Sequence, residues 1–399
     1  MSKSRSSHIK VSQSHISEKV EALPPSGIRK FFDLLSSIEG VISLGVGEPD
    51  FVTPWHICEA AIYSLEKGYT MYTSNKGMPE LRAELAKHLD SRFCLTYDPD
   101  DEILITVGVS EGLDLAMRAI LNPGDEVIMP DPCYVAYPAS VSLAGGTPVQ
   151  VPTNEENNFE IIADDIEPYI TQRTKAILLG YPCNPTGAVL SKEELNQIAE
   201  LAKRYNLLVI SDEVYGQLVY GVEHTCLASL SGMRERTILL NGFSKAYAMT
   251  GWRIGYAAAD REIVGAMTKI HQYTMLCASI MGQTAAIEAL KAGDSEVEAM
   301  VRDYDRRRRV MVKGFRDIGL SCFEPKGAFY AFPSIKITCM TSEEFAEKLL
   351  MEEKVAVVPG SAFGKCGEGY IRCCYATSLP EIEEAIKRIG RFIQKYRKT

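Results

Sequence analysis

The sequence lacks the long apolar run that a membrane-spanning helix requires, and its first 20 residues lack the apolar core of a signal peptide. Eleven cysteines are present, but there is no Cys-x-x-Cys pair and no histidine at zinc-ligand spacing from a cysteine. Positive charge is not in excess either, because the formal net charge is -9. We therefore expect no membrane insertion, no metal site, no nucleic-acid binding, and a cytoplasmic location where thiols stay reduced.

The chain is long enough for more than one domain, since 399 residues exceed the usual domain size of roughly 100–200 residues. Hydrophobic residues make up 46% and charged residues 24% of the sequence, the balance of an ordinary globular protein. We predict a large domain over residues 49–293 and a small domain formed by residues 18–48 and 294–399. Residues 1–17 are expected to form a flexible N-terminal extension.

One basic cluster, Arg306 to Arg309, is the only candidate for a nucleic-acid contact. Acidic residues precede this region at a spacing of four, which is the favourable order for ion pairs along a helix. The expected pairs are Glu298 with Arg302, Asp303 with Arg307, and Asp305 with Arg309. Charge runs of this kind usually lie on a solvated helix face, and that is the prediction here.

Short apolar runs alternate with segments of helical period between about residues 100 and 260, which predicts an α/β domain with a mainly parallel seven-stranded sheet flanked by helices. The apolar run from Leu207 to Ile210 suits a strand that is buried on both faces. Ser191 and Glu194 form a capping-box signature at the start of a helix. The seven predicted strands are 102–106, 126–130, 147–152, 175–182, 207–213, 237–243 and 253–259.

Beyond residue 294 the pattern changes to that of a smaller α+β domain. A long charged helix is followed by short strands near residues 328–333 and 355–358, and a closing helix starts at about residue 380. Ser378 is the predicted N-cap of that closing helix, with Pro380 in its first turn and Glu381 three residues after the cap.

Lys245 follows a predicted strand and has a hydroxyl beside it at Ser244 and a guanidinium eight residues on at Arg253. A lysine amine can form an imine, while Ser244 and Arg253 could hold a phosphate. Asp212 ends another buried strand, where a carboxylate is costly unless it meets a cation such as a protonated pyridine nitrogen. The alternatives are a surface lysine at 245 and a helix N-cap or buried ion pair at 212.

Two loops follow predicted strands, where an open α/β sheet binds ligands. The first is Asn184 to Gly187, which is equally typical of a plain turn containing proline. The second is Gly108 to Ser110, whose free backbone N–H groups could bind an anion at a helix N-terminus. The G-x-G at Gly45 and Gly47 is followed by Glu48 and Pro49 rather than by a helix, which excludes a dinucleotide fingerprint.

Taken in order, these segments resemble the class I aminotransferases of pyridoxal-phosphate fold type I. The resemblance covers nearly the whole chain from about residue 18 to 395 and is specific, because six motifs occur in the right order at matching spacings. It is strongest towards archaeal and bacterial aromatic and aspartate aminotransferases, notably at Lys326 to Tyr330 and Val357 to Phe363. The six motifs are Gly47 to Phe51, Gly108 to Ser110, Asn184 to Gly187, Asp212 to Tyr215, Ser244-Lys245 and Arg253.

The resemblance implies a role for each matching residue. Lys245 would bind pyridoxal 5'-phosphate covalently as a Schiff base and move the α-proton, and Asp212 would pair with the pyridine nitrogen. Asn184 and Tyr215 would bind the ring 3-oxygen. The remaining assignments are Tyr134 on the ring face, Val109, Ser110, Ser244 and Arg253 on the phosphate, Tyr72 on the phosphate of the neighbouring subunit, and Gly47, Asn184 and Arg372 on the substrate.

These roles imply a homodimer with shared sites that transfers an amino group from an L-amino acid to a 2-oxo acid such as 2-oxoglutarate, with ping-pong kinetics. Bacterial aspartate-specific members have a lysine where this chain has Ser110, so we expect broad or aromatic substrates rather than strict aspartate specificity, with aspartate kept as an alternative donor. A carbon–sulfur lyase or another elimination enzyme of the same fold is the alternative. A transcription regulator would need a winged helix of about 80 residues before Gly47, and only 46 residues precede it.

Overall fold

A seven-stranded mixed sheet forms the centre of the molecule in the computed structural model, which describes residues 15–23 and 39–397. The strand order is β2-β8-β7-β6-β5-β3-β4, where β2 is Ile103–Thr106, β3 Glu126–Asp131, β4 Thr147–Pro152, β5 Thr174–Leu179, β6 Leu208–Asp212, β7 Thr237–Gly242 and β8 Gly255–Ala258. Strand β8 runs antiparallel to β2 and β7, and the other neighbours are parallel. The predicted seven-stranded, mainly parallel sheet is therefore confirmed.

Helices cover the sheet and continue into the C-terminal part of the chain. They are α1 Glu18–Glu21, α2 Trp55–Glu66, α3 Pro79–Phe93, α4 Gly108–Ile120, α5 Ala136–Leu143, α6 Ala163–Ile166, α7 Lys192–Arg204, α8 Arg261–Thr274, α9 Ile280–Ala292, α10 Asp294–Asp317, α11 Ser342–Glu353 and α12 Leu379–Tyr396. No helix of the described residues is both long and apolar enough to cross a membrane.

Short strands join the N-terminal segment to the C-terminal part. Strand β1 (Ile42–Ser43) pairs in parallel with β10 (Val355–Ala356). A small antiparallel sheet has the order β11-β12-β9, where β9 is Tyr330–Ala331, β11 Val358–Pro359 and β12 Ile371–Cys374. Because β12 carries Arg372, this sheet brings a residue from near the C-terminus to the main sheet. The sequence pattern had predicted strands at β9, β10 and β11 but none at β12.

The predicted helix starts follow from side-chain capping. The Ser191 hydroxyl accepts a hydrogen bond from the Glu194 N–H, and the Glu194 carboxylate accepts one from the Ser191 N–H, so the first turn of α7 has partners for its free donors. Ser378 caps α12 by accepting from the Glu381 N–H. The apolar face of α7 is buried, with Leu195, Ile198, Ala199 and Ala202 among its core residues.

The basic cluster on α10 departs from the prediction of a solvated face. The pairs Glu298–Arg302, Asp303–Arg307 and Asp305–Arg309 are present, but Arg307 and Arg308 are buried. The Arg307 guanidinium also contacts Asp50 at 2.7 Å, and the Arg308 guanidinium contacts Glu324 at 2.9 Å. These arginines bury their charge because carboxylates from distant segments face them. A spacing rule within one helix cannot reveal such partners.

The expectations for the N-terminal extension, the domain limits and the cysteines have different outcomes. The predicted extension over residues 1–17 lies outside the described residues except for its last three positions. The proposed domain limits stay predictions. All eleven cysteines are free.

Candidate active site

One cavity of about 610 Å³ opens at the edge of the sheet where β5 and β6 end. Its walls also come from the segment before α2, the start of α4, the loop after β7, and strands β9 and β12. The cavity brings together eleven of the twelve site residues expected from the sequence: Gly47, Val109, Ser110, Tyr134, Asn184, Asp212, Tyr215, Ser244, Lys245, Arg253 and Arg372. The twelfth, Tyr72, lies outside this lining and is 79% exposed.

Lys245 projects its amine into the cavity from the loop that follows β7. The Nζ atom donates a hydrogen bond to the Gly47 carbonyl at 2.7 Å and lies 5.8 Å from the centre of the Tyr215 ring. Burial is the main cause that lowers the pKa of Lys245 to about 8. A large fraction of this amine is therefore neutral, and nucleophilic, near pH 8.

Asp212 ends β6 and is almost fully buried. Its Oδ2 accepts a hydrogen bond from the Tyr137 hydroxyl at 2.9 Å, and its Oδ1 accepts one from the Val214 N–H at 3.3 Å. Burial raises the pKa of Asp212 to about 6, while the Tyr137 hydrogen bond opposes that rise. No arginine or lysine of the described residues forms an ion pair with this carboxylate, so the alternative of a structural buried ion pair is not observed.

An anion-binding cradle lies where β2 passes into α4. The first N–H groups of a helix have no partner within it, and here they belong to the turn that includes Val109 and Ser110. Gly108 has a φ of +73°, and a Cβ atom on it would lie 2.9 Å from Cζ of Arg253. Glycine adopts this backbone angle without strain, and a side chain here would in addition displace the guanidinium.

Arg253 is held in a strained conformation beside this cradle. Its φ is +56°, which is unfavourable for a residue with a side chain, and its guanidinium donates to the Thr250 carbonyl at 3.1 Å. No carboxylate of the described part of the chain forms an ion pair with it. Its charge therefore remains available to an anion at the cradle.

Arg372 forms the opposite wall and is only 3% exposed. One guanidinium nitrogen donates to Asn184 Oδ1 at 2.9 Å, and the other donates to the Gly45 carbonyl at 2.7 Å. The guanidinium lies 4.5 Å from the centre of the Tyr330 ring, and the buried Nε has no partner within the described residues. A buried positive charge held only by neutral groups suits an anionic ligand such as a carboxylate.

Several lining residues had been given no role from the sequence. Tyr330 contacts the Tyr215 hydroxyl at 2.8 Å, and a Cβ on Gly47 would lie 2.6 Å from the Tyr330 hydroxyl. Tyr137 lies edge-on to Tyr134 at 5.5 Å between ring centres. The three-residue spacing of Tyr134 and Tyr137 was a usable signal, since such a spacing puts two side chains on one side of a helical turn. The other new lining residues include Val46, Glu48 and Thr250.

Comparisons with known proteins agree with this geometry. The family model for aminotransferase class I and II matches residues 39–389. A Bacillus subtilis protein that bears the name aminotransferase is 58% identical over 96% of this chain and 99% of its own length. An aspartate aminotransferase of Pyrococcus abyssi is 48% identical over 96% of this chain and 100% of its own length.

Solved structures give the same result for the fold. An aromatic aminotransferase from Pyrococcus horikoshii superposes with a TM-score of 0.88 and 46% identity, covering 92% of this chain and 99% of that one. These relatives do not favour the lyase alternative. The chain therefore belongs to the class I and II aminotransferases, and it is a transaminase that uses pyridoxal 5'-phosphate.

Proposed function

We propose that this enzyme transfers the amino group of an aromatic amino acid, or of a broad range of L-amino acids, to a 2-oxo acid such as 2-oxoglutarate by a ping-pong mechanism. The observation that carries the proposal is the cavity in which Lys245, Asp212 and Arg372 meet. Its lining contains three cations, Lys245, Arg253 and Arg372. In this proposal they bind the cofactor, its phosphate and the substrate α-carboxylate, respectively. Within residues 15–23 and 39–397, the lining thus supplies no further cation for the distal carboxylate of aspartate, which favours aromatic or broad donors.

The residues present fit the cofactor. The cradle left by Gly108 and the unpaired charge of Arg253 suit a phosphate, and the buried Asp212 carboxylate suits a pyridinium N–H. We assign the phosphate to Val109, Ser110, Ser244 and Arg253. When bound, the cofactor supplies an electron sink for the pair of electrons left at the substrate α-carbon.

The ring has its own set of contacts in this proposal. Lys245 would hold the cofactor covalently and Asp212 would bind the ring nitrogen. Asn184 and Tyr215 would bind the ring 3-oxygen, and Tyr134 would cover one ring face. Asn184 is already oriented by Arg372 through its Oδ1, which leaves its amide N–H groups as donors.

The chain's own groups then account for orientation and proton transfer. Arg372 binds the substrate α-carboxylate, and Gly47 and Asn184 complete that end of the site, so the Cα–H bond is oriented relative to the ring. The Lys245 Nζ accepts the α-proton once it is neutral, which its lowered pKa of about 8 favours. Asp212 remains an anion above about pH 6, as a partner for a protonated ring nitrogen requires.

We also propose a cytoplasmic homodimer in which Tyr72 completes the phosphate site of the neighbouring subunit. The segment from α2 to Tyr72 exposes an unusual number of large apolar side chains, which supports burial against a second subunit. These are Trp55 at 69%, Tyr63 at 55%, Leu65 at 50%, Met71 at 61% and Tyr72 at 79% exposure. The free cysteines suit a reducing compartment.

The test is the visible absorption of the purified holoenzyme during addition of single amino acids without an acceptor. Loss of the band of the lysine-bound cofactor, faster with tyrosine or phenylalanine than with aspartate, is the expected result. A much faster loss with aspartate would refute the substrate proposal. A band that persists while pyruvate and ammonia accumulate would instead indicate elimination.

A further inference from the structure

Tyr137 has no role in the proposed function, although its hydroxyl contacts the buried carboxylate of Asp212 in the cavity. The ring lies at the start of α5 and is 5% exposed. Its hydroxyl is 2.9 Å from Asp212 Oδ2. Because a carboxylate in so buried a position is costly without donors, this contact, one of two hydrogen bonds to the carboxylate among the described residues, stabilises the Asp212 anion.

The missing side chain of Gly180 leaves the space that the Tyr137 hydroxyl occupies. Gly180 follows β5, and a Cβ atom on it would lie 2.8 Å from Cζ of Tyr137 and would overlap the Tyr137 hydroxyl. Any other residue at 180 would therefore push the ring away from Asp212. Tyr134, which lines the same cavity, packs edge-on against Tyr137 with 5.5 Å between the ring centres.

The proton of this hydrogen bond belongs to the tyrosine. Burial, with the Asp212 charge beside it, raises the pKa of Tyr137 well above its usual value, so the phenol stays a donor. Of the other charged groups near Asp212, Glu213 raises the pKa of the aspartate and Lys245 lowers it. Glu213 is itself engaged by His224 at 2.8 Å and by the Leu227 N–H at 3.1 Å.

We propose that Tyr137 is a positioning residue that keeps Asp212 ionised and orients its less firmly held oxygen, Oδ1, towards the pyridine nitrogen of the cofactor. With Oδ2 engaged by Tyr137 and Oδ1 only weakly engaged by the Val214 N–H, the carboxylate is oriented before the cofactor arrives. The inference rests on the role proposed above for Asp212. The hydroxyl itself need not touch substrate or cofactor.

The experiment uses Tyr137→Phe, which keeps the ring and removes the hydroxyl. Two quantities are measured, the affinity of the apoenzyme for pyridoxal 5'-phosphate and the ¹⁵N chemical shift of the pyridine nitrogen in holoenzyme made with labelled cofactor. We expect an affinity loss on the order of tenfold and a shift towards the unprotonated nitrogen. Gly180→Ala, which keeps the hydroxyl but displaces it, should change both quantities in the same direction.

Tyr181→Phe is the matched control, because it removes another buried hydroxyl, one that donates to the Phe159 carbonyl at 3.0 Å and does not line the cavity. It should keep the wild-type shift and affinity. A wild-type nitrogen shift in Tyr137→Phe, or an equal change in Tyr181→Phe, would overturn the inference.

Asp212→Asn separates this inference from the role on which it rests. A changed nitrogen shift in Asp212→Asn together with a wild-type shift in Tyr137→Phe would refute only the part given to Tyr137. A wild-type shift in Asp212→Asn would refute the role of Asp212, and with it the inference.

Discussion

Lys245 and Arg372 are two cationic residues of the cavity, and both donate hydrogen bonds to identified partners. The amine of Lys245 is partly buried with the Gly47 carbonyl as its hydrogen-bond partner, while the guanidinium of Arg372 is held at both terminal nitrogens. The Lys245 amine can therefore lose its proton more readily than an exposed lysine, whereas the Arg372 guanidinium remains a cation. Each state leads to a measurable consequence at the scale of a single residue.

The pH dependence of cofactor attachment should report the lowered pKa of Lys245. Only the neutral amine attacks an aldehyde, so the rate of covalent attachment to apoenzyme should rise with pH up to about 8 and then level off. Stopped-flow absorbance over a pH series that brackets this value measures it, with Lys245→Ala as the control that forms no adduct. A rate that still climbs steeply towards 10.5, the ordinary value for lysine, would contradict the buried environment.

Replacing Arg372 by lysine keeps the charge but removes the planar fork. The ammonium cannot contact Asn184, the Gly45 carbonyl and a substrate carboxylate in the same geometry, so KM for amino donors should rise on the order of tenfold to a hundredfold. Steady-state kinetics measure KM, and the cofactor absorption of the variant should match that of the wild type. An unchanged KM would show that the α-carboxylate binds elsewhere.

At the scale of secondary structure, the site depends on the loops that follow neighbouring strands at one edge of the sheet. Strands β5 and β6 are parallel neighbours, so the loops that follow them leave the sheet at one edge, and the loop after β7 joins them there. Strand β8 crosses next to Gly108, where a Cβ on Gly255 would lie 2.7 Å from the Val109 nitrogen. The close approach of β8 to the start of α4 is what brings Arg253 to the cradle.

Gly108→Ala tests this junction. The new methyl group would meet the Arg253 guanidinium at a residue whose φ is +73°, so we expect weaker binding of pyridoxal 5'-phosphate. Gly265→Ala on α8 is the control, because nothing lies within 4 Å of a Cβ there. That variant should bind cofactor normally and gain about 0.5–1 kcal/mol in stability. Equal cofactor affinities in the two variants, measured by titration of apoenzyme, would argue against the cradle.

At the scale of the whole molecule, the proposed shared sites make the dimer the active unit. Lys245→Ala lacks the amine, and Tyr72→Ala lacks the side chain that would cross to the other subunit. Subunit exchange between these two variants should restore activity, because a hybrid dimer contains one site with both changes and one intact site. Activity is assayed before and after mixing. Failure to regain activity, although hybrid dimers are detected by native mass spectrometry, would refute the shared site.

Much of this molecule could be predicted from local patterns in the sequence. Apolar runs of strand length predicted all seven strands of the main sheet, and capping side chains predicted the starts of α7 and α12. Motif residues that directly follow strands, such as Asn184, Asp212 and Lys245, were predicted to share one crevice, and they line one cavity. These features depend on residues close together in the chain or on the direction of parallel strands.

Tertiary structure alone decided which distant groups meet. The contact between Tyr137 and Asp212 joins residues 75 positions apart, and the burial of Arg307 depends on Asp50, which is 257 positions away. Strand β12 is only 4 residues long, so its sequence carried little pattern, yet it places Arg372 in the cavity. Sequence patterns thus determined the elements and the chemically able residues, whereas packing between distant segments set their partners, burial and pKa values, because those depend on distances that no local pattern encodes.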